Sequence, residues 1–214
     1  MNVHIIVSLH KQEQQMSTHY FVDTETTGLS SNEHVITEFA CIKCVDGVEV
    51  DRLHLRVIPT EQELDRADKR ALETHKFDLG LWNRTGLPSV EAANRIAAFL
   101  RGGHGTAIIA HNARFDIRFI RELLKNTNNV FLPTRCIDTI SIAYSQFDSL
   151  GLKSMSFDSI RDFLGWSADG AHTAMKDAED VMRLYQLLSP RPSASGGVII
   201  NEVTRVSHIY GVRL

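Results

Sequence analysis

Two rhythms of apolar and polar positions divide this chain, first a strand-like alternation and then helical stripes. Tyr20, Phe21 and Val22 are strand formers that run into two acids, Asp23 and Glu25, before Thr26-Thr27-Gly28 marks a turn. A second apolar run spans residues 36–45. Asp46-Gly47 separates it from a third, 48–58, and Asp-Gly between apolar runs predicts a hairpin. The first three strands are therefore expected to form an antiparallel meander that Pro59 ends. Residues 61–75 predict one helix, with Leu64, Ala67, Ala71 and Leu72 on its inner side, followed by a loop holding Trp82 and Gly86. Ser89 is the expected cap of the next helix, whose buried stripe would be Val90, Ala93, Ile96, Ala97 and Leu100.

From residue 106 the pattern changes. TAIIA, 106–110, reads as a short buried strand, central and parallel. A helix over 114–125, a loop over 126–133, a short strand over 135–138 and a helix over 139–144 follow. Two more helices are expected over 156–164, ended by Gly165, and over 173–188. Strands first, then strands alternating with helices, predict an α/β fold with a mixed sheet flanked by helices. Residues 1–17 read as an N-terminal extension, 18–189 as one domain, and 190–214 as a linker followed by a Val- and Ile-rich, strand-like tail.

The composition, 43% hydrophobic and 23% charged in 214 residues, fits a globular domain and excludes a disordered chain. The net charge of −3 does not mark a nucleic-acid binder, but local charge at a site outweighs the sum. Cys41 and Cys44 stand three apart on a strand and so on opposite faces. With Cys136 as the only other cysteine, no zinc-type second pair exists. All three are expected to be buried free thiols in a reducing compartment. No apolar run approaches the roughly 18 residues of a membrane span, and no signal peptide is evident, so a cytoplasmic location is expected.

The acids carry the chemistry. Strand side chains two apart share a face, so Asp23 and Glu25 lie side by side. Neighbouring carboxylates repel unless one is protonated or a cation joins them, and magnesium prefers carboxylate oxygen. Alone, this pair could equally be a solvated strand end. Asp116 shares a helical face with Phe119, Ile120 and Leu123, and Asp177 shares one with Ala174, Val181, Leu184 and Leu188. Each of the two could simply complement a helix N-terminus. Glu179 and Asp180 are expected to be solvated, and His172 precedes the last helix. Four acids facing one interior need cations, and two Mg²⁺ or Mn²⁺ ions would balance them.

DTETTGL at 23–29, HNARFD at 111–116 and HTAMKDA at 172–178 resemble, in order, the three motifs of the DEDDh group of DnaQ-like 3′→5′ exonucleases. The resemblance covers about residues 18–188 and includes Asp138-Thr139 and LKSMSFDSI at 152–160. In overall look it is nearest to the proofreading (epsilon) subunits of bacterial DNA polymerase III. It implies a ribonuclease H-like fold and a two-metal phosphodiester hydrolase using Mg²⁺ or Mn²⁺. Asp23, Glu25, Asp116 and Asp177 would be the metal ligands and His172 the general base. Thr26, Thr27, Gly28 and Leu29 would hold the terminal nucleotide, with Asn112 and Phe115 lining the pocket; plain core is an equal reading of Phe115. THKFD at 74–78 departs from the His-Gly-Ile common in such subunits.

The expected reaction is removal of nucleotides from a single-stranded or frayed 3′ end, in proofreading or repair, with DNA favoured over RNA. The alternatives are RNA end-trimming and a non-catalytic polymerase accessory module. The tail would either dock a DNA polymerase or pack back on its own domain.

Overall fold

The protein was analysed as a computed structural model, which describes residues 17–101, 105–125, 127 and 135–189. The extension 1–16 and the linker and tail 190–214 lie outside the described residues, and so does the loop expected after residue 127.

The meander forms as expected. β1 (Thr18–Thr26), β2 (Ile36–Val45) and β3 (Val48–Ile58) are antiparallel neighbours. Asp46 and Gly47 both take positive φ, 50° and 85°, as a tight hairpin turn requires. β5 (Thr106–Ala110) lies parallel to β1, and β6 (Arg135–Asp138) parallel to β5. With the two-residue β4 (Leu87–Pro88), the sheet runs β4-β3-β2-β1-β5-β6. β1 is therefore flanked on both sides, and its C-terminal end is the natural place for a site in an open α/β sheet.

The helices are α1 (Glu61–Asp65), α2 (Lys69–Thr74), α3 (Leu79–Thr85), α4 (Ser89–Phe99), α5 (Ala113–Leu124), α6 (Thr139–Phe147), α7 (Phe157–Leu164) and α8 (Ala174–Leu188). The single helix expected over 61–75 is thus two short ones. The side chain of Asp68 accepts from the Arg70 amide and starts a new helix, and neither short helix has a fully buried residue. The expected loop around Trp82 is instead α3, capped by Asp78, whose carboxylate accepts from the Leu81 amide at 2.6 Å. Pro88 rather than Ser89 stands at the start of α4, and Val90 is 68% exposed while Ala92 takes the inner position. The helix starts one residue earlier than a Ser89 cap would give, and Ala93, Ile96, Ala97 and Leu100 are buried as expected.

Alternation along β1 divides the core. Tyr20 and Val22 face one layer with Phe39, Ile96 and Leu100 of α4 and its junction, and Phe119 and Ile120 of α5. Phe21 faces the other with Ala40, Ile42 and Ile109, under Ala174, Ala178 and Val181 of α8. Cys41 and Cys44 fall on opposite faces and are buried, as expected. Cys136 is exposed, against expectation, because β6 is the edge strand. Among the described residues no helix is long and apolar enough to cross a membrane.

Gly86 closes α3 against β3. A Cβ there would lie 2.7 Å from the Trp82 carbonyl oxygen and 2.9 Å from Ile58 Cγ1. Because one of these neighbours is backbone, Gly86→Ala should cost about 1–3 kcal/mol in urea denaturation; a variant of unchanged stability would show that this corner yields freely.

Candidate active site

β1 delivers Asp23 and Glu25 on the Phe21 face, which is the face α8 covers. Asp177 lies in the first turn of α8. Ligand oxygens of Asp23, Glu25 and Asp177 lie within 4.8 Å of one another, as a cation site needs. Asp116 comes from α5, and its Oδ1 accepts from Thr24 Oγ1 at 2.8 Å. Its charge acts on Asp23 together with those of Asp177 and Glu25, so it stands close to the other three acids.

The electrostatics record this crowding. Burial, and then the charges of Asp116, Asp177, Glu25 and Glu38, hold the Asp23 carboxyl well above the usual carboxylate range. Burial pushes Glu25 to about 8, reinforced by Asp177 and Glu38. Burial raises Asp116 to about 7, although the Thr24 hydroxyl bond opposes the rise. Burial also raises Asp177, with the Arg161 guanidinium pulling the other way. An all-carboxylate donor set of this kind is suited to a hard divalent cation and poorly suited to zinc-type softness.

His172, just before α8, has a positive φ of 61°, a side chain 41% exposed, and Nε2 3.8 Å from Asp158 Oδ2. It is open to solvent and close enough to Asp177 to influence its charge. In the turn after β1, Thr26 Oγ1 donates to the Gly28 carbonyl. Thr27 is spent on the turn: its amide and hydroxyl engage Val35, and its carbonyl accepts from the Asp68 amide. A Cβ on Gly28 would meet the His34 ring at 2.4 Å. Leu29 stands 77% exposed beyond it. Asn112 is left-handed at φ 73° ahead of α5, and Phe115 packs on Phe119 with ring centroids 4.8 Å apart.

Several residues of the site went unread in the sequence. Glu38 of β2 pairs in register with Glu25. Its carboxylate takes His54 Nε2 at 2.6 Å and the Ala174 amide at 3.3 Å, which pins the start of α8. Burial works against its ionisation, but the His54 and Ala174 bonds overcome it and lower its pKa. An acid in the mostly apolar run ITEFACIKCV is the available signal. His75 is buried; its Nε2 meets Thr37 Oγ1 at 3.1 Å, and its Nδ1 lies 3.7 Å from Glu25 Oε2. Asp180, expected in solvent, is buried beside Arg161.

A mixed sheet with an acidic cluster at the end of its central strand defines the class as ribonuclease H-like. The sequence profile of the exonuclease family matches residues 20–185, and the chain belongs to that family. It is 30% identical over 169 residues to the PolC-type DNA polymerase III of Thermotoga petrophila, covering 79% of this chain and 12% of that one. It is 26% identical over 181 residues to the DNA polymerase III epsilon subunit of Treponema pallidum, covering 84% and 80%. The chain thus spans a small part of the PolC-type polymerases and most of the epsilon subunit. Among solved structures, E. coli exonuclease I in complex with a dA16 oligonucleotide shares the fold at a TM-score of 0.68 and 19% identity, over 80% of this chain and 41% of that one.

Because the folded-state carboxyl pKa values of Glu25 and Asp116 are raised to about 8 and about 7, the cation-free protein binds more protons than its unfolded chain. Their stabilising contribution is present at acid pH and is lost as pH rises through those values. In EDTA the melting temperature should fall from pH 5 to pH 8.5, and Mg²⁺ should restore it most at the alkaline end. Equal Mg²⁺ effects at both pH values would contradict carboxylate ligation.

Proposed function

We propose that this chain is a metal-dependent 3′→5′ exonuclease that removes nucleotides one at a time from the 3′ end of single-stranded or frayed DNA and releases nucleoside 5′-monophosphates. The convergence of Asp23, Glu25 and Asp177 at the end of β1, with Asp116 and His172 beside them, carries this reading. Membership of the exonuclease family and likeness to polymerase epsilon subunits support it. Residues 18–189 form the catalytic domain in this reading, and work in proofreading or repair follows from the same likeness.

Asp23, Glu25, Asp116 and Asp177 would hold two Mg²⁺ or Mn²⁺ ions. Bound there, such ions lower the pKa of water and stabilise charge on the attacking and leaving oxygens. The chain's own residues do the rest. His172, exposed at the rim, accepts the proton of the attacking water at its imidazole nitrogen. The first turns of α5 and α8 aim their amide ends at the acids, which favours negative charge there. Thr26 and Thr27 fix the turn that would hold the terminal nucleotide, and Gly28 keeps that turn close against the His34 ring. Leu29 offers an apolar face to the terminal base. Asn112 and Phe115 line the α5 side, and exposed Arg114 and Arg118 on that helix supply phosphate contacts. The tail 198–214 would either dock a DNA polymerase or pack back on its own domain.

End-labelled DNA and RNA of one sequence, incubated with Mg²⁺, test the proposal. A 3′→5′ ladder on DNA, absent with Asp23→Ala, is the expected result. A ladder on RNA alone moves the substrate to RNA ends, and no ladder on either overturns the proposal. His172→Ala should lower kcat by about 10²–10⁴-fold with DNA affinity little changed; an unaltered rate would remove it as the base.

A further inference from the structure

α7 carries an arginine where its surroundings call for an apolar side chain. Arg161 is 2% exposed and neighbours Ile160 in the core formed with Ala143, Phe147 and Leu184. Its guanidinium is shared among three acids. Nε donates to Asp180 Oδ2 at 2.8 Å, Nη1 to Asp158 Oδ1 at 3.2 Å, and Nη2 to Asp177 Oδ1. Its carbon centre lies 5.1 Å from the centroid of the Phe157 ring. Buried ion pairs seldom add stability over an apolar pair of similar volume, so stability alone does not account for this arrangement. What it does fix is geometry, because a planar fork locks the carboxylates it holds.

We propose that Arg161 is a positioning residue for the cation site: it commits one oxygen of Asp177 and leaves the other to serve as a ligand beside Asp23 and Glu25. This inference rests on reading that cluster as the cation site. Without a partner, Asp177 would be repelled by the neighbouring charges of Asp23 and Glu25 although it is buried among them. The Arg161 guanidinium fixes that carboxylate in one orientation instead. Asp180 accepts from Arg161 Nε and from Lys176 Nζ at 2.6 Å, and neither bond involves the Arg161 nitrogen that holds Asp177. Asp158, the third partner, also faces His172 at 3.8 Å, which links Arg161 to the general base. The guanidinium also repels an incoming cation; the proposal holds that orientation outweighs this repulsion.

Mn²⁺ titration of the full chain by calorimetry, without nucleic acid, separates the two effects. The variants are Arg161→Lys, which keeps the charge and loses the fork; Arg161→Leu with Asp180→Leu, which replaces the ion pair by an apolar one; and Asp180→Asn, which keeps the Arg161–Asp177 contact. Loss of a residue that orients a ligand typically weakens metal binding about tenfold or more, so Kd for Mn²⁺ should rise about tenfold in both Arg161 variants and stay within about twofold in Asp180→Asn, even where Asp180→Asn lowers the melting temperature. On single-stranded DNA, kcat should fall in the Arg161 variants with KM little changed. Unchanged or tighter Mn²⁺ binding in Arg161 variants with a native circular dichroism spectrum would overturn the inference while leaving the proposed function intact. Absence of Mn²⁺ binding by the unmodified protein would overturn both.

Discussion

Like charges held close together in a poorly hydrated place are the constraint on which this molecule turns. Asp23 and Glu25 are fixed two residues apart on a strand that β2 pairs with along the acids themselves and β5 holds up to Phe21. Every neighbouring element then carries some device that answers the repulsion. Thr24 donates to Asp116, His54 and the α8 amide end satisfy Glu38, and Arg161 draws Asp177 and Asp180 together. Even so, burial first, and neighbouring carboxylates second, hold the carboxyls of Asp23 and Glu25 above the usual range, and burial also raises Asp116 and Asp177, so ionising all four together is unfavourable without a cation.

The architecture gathers these acids at one end of the sheet. α5 and α8 approach β1 from opposite layers, each with its N-terminus at the same end of the sheet. Their starts are pinned by side chains from strands. Asp138 of β6 accepts from the amides of Asn112 and Ala113, and Glu38 of β2 accepts from Ala174. The carboxylates of Asp116 and Asp177 are thereby placed by the sheet and not by flexible loops, which is what a constellation with little positional tolerance needs. The groups left open, Leu29 and His172, are the ones that would meet substrate and water.

Local chemistry made much of this legible. The hairpin at Asp46-Gly47, the buried strand TAIIA and the helix that Gly165 ends follow from turn residues and apolar runs, and each formed where expected. The apolar spacing of 61–75 suits one helix and the stretch after it reads as a loop, whereas Asp68 and Asp78 each cap a separate helix. Capping oxygens compete with continued periodicity, and at short range the cap wins.

The sequence by itself determined which residues could form the site, since strand alternation, helical spacing and three ordered motifs single out Asp23, Glu25, Asp116, Asp177 and His172. Only the tertiary structure decided how they meet. Thr24, next to Asp23 on β1, donates to Asp116, and this tie between strand and α5 could not be read from either segment alone. Asp180 is buried, against its polarity, because Arg161, from another helix, completes its charge. Glu38 and Arg161 act across 136 and 16 residues of sequence, respectively. Periodicity reports which way a side chain points from its own element. The identity of the partner that makes a buried charge tolerable depends on packing between elements, and no local pattern encodes it.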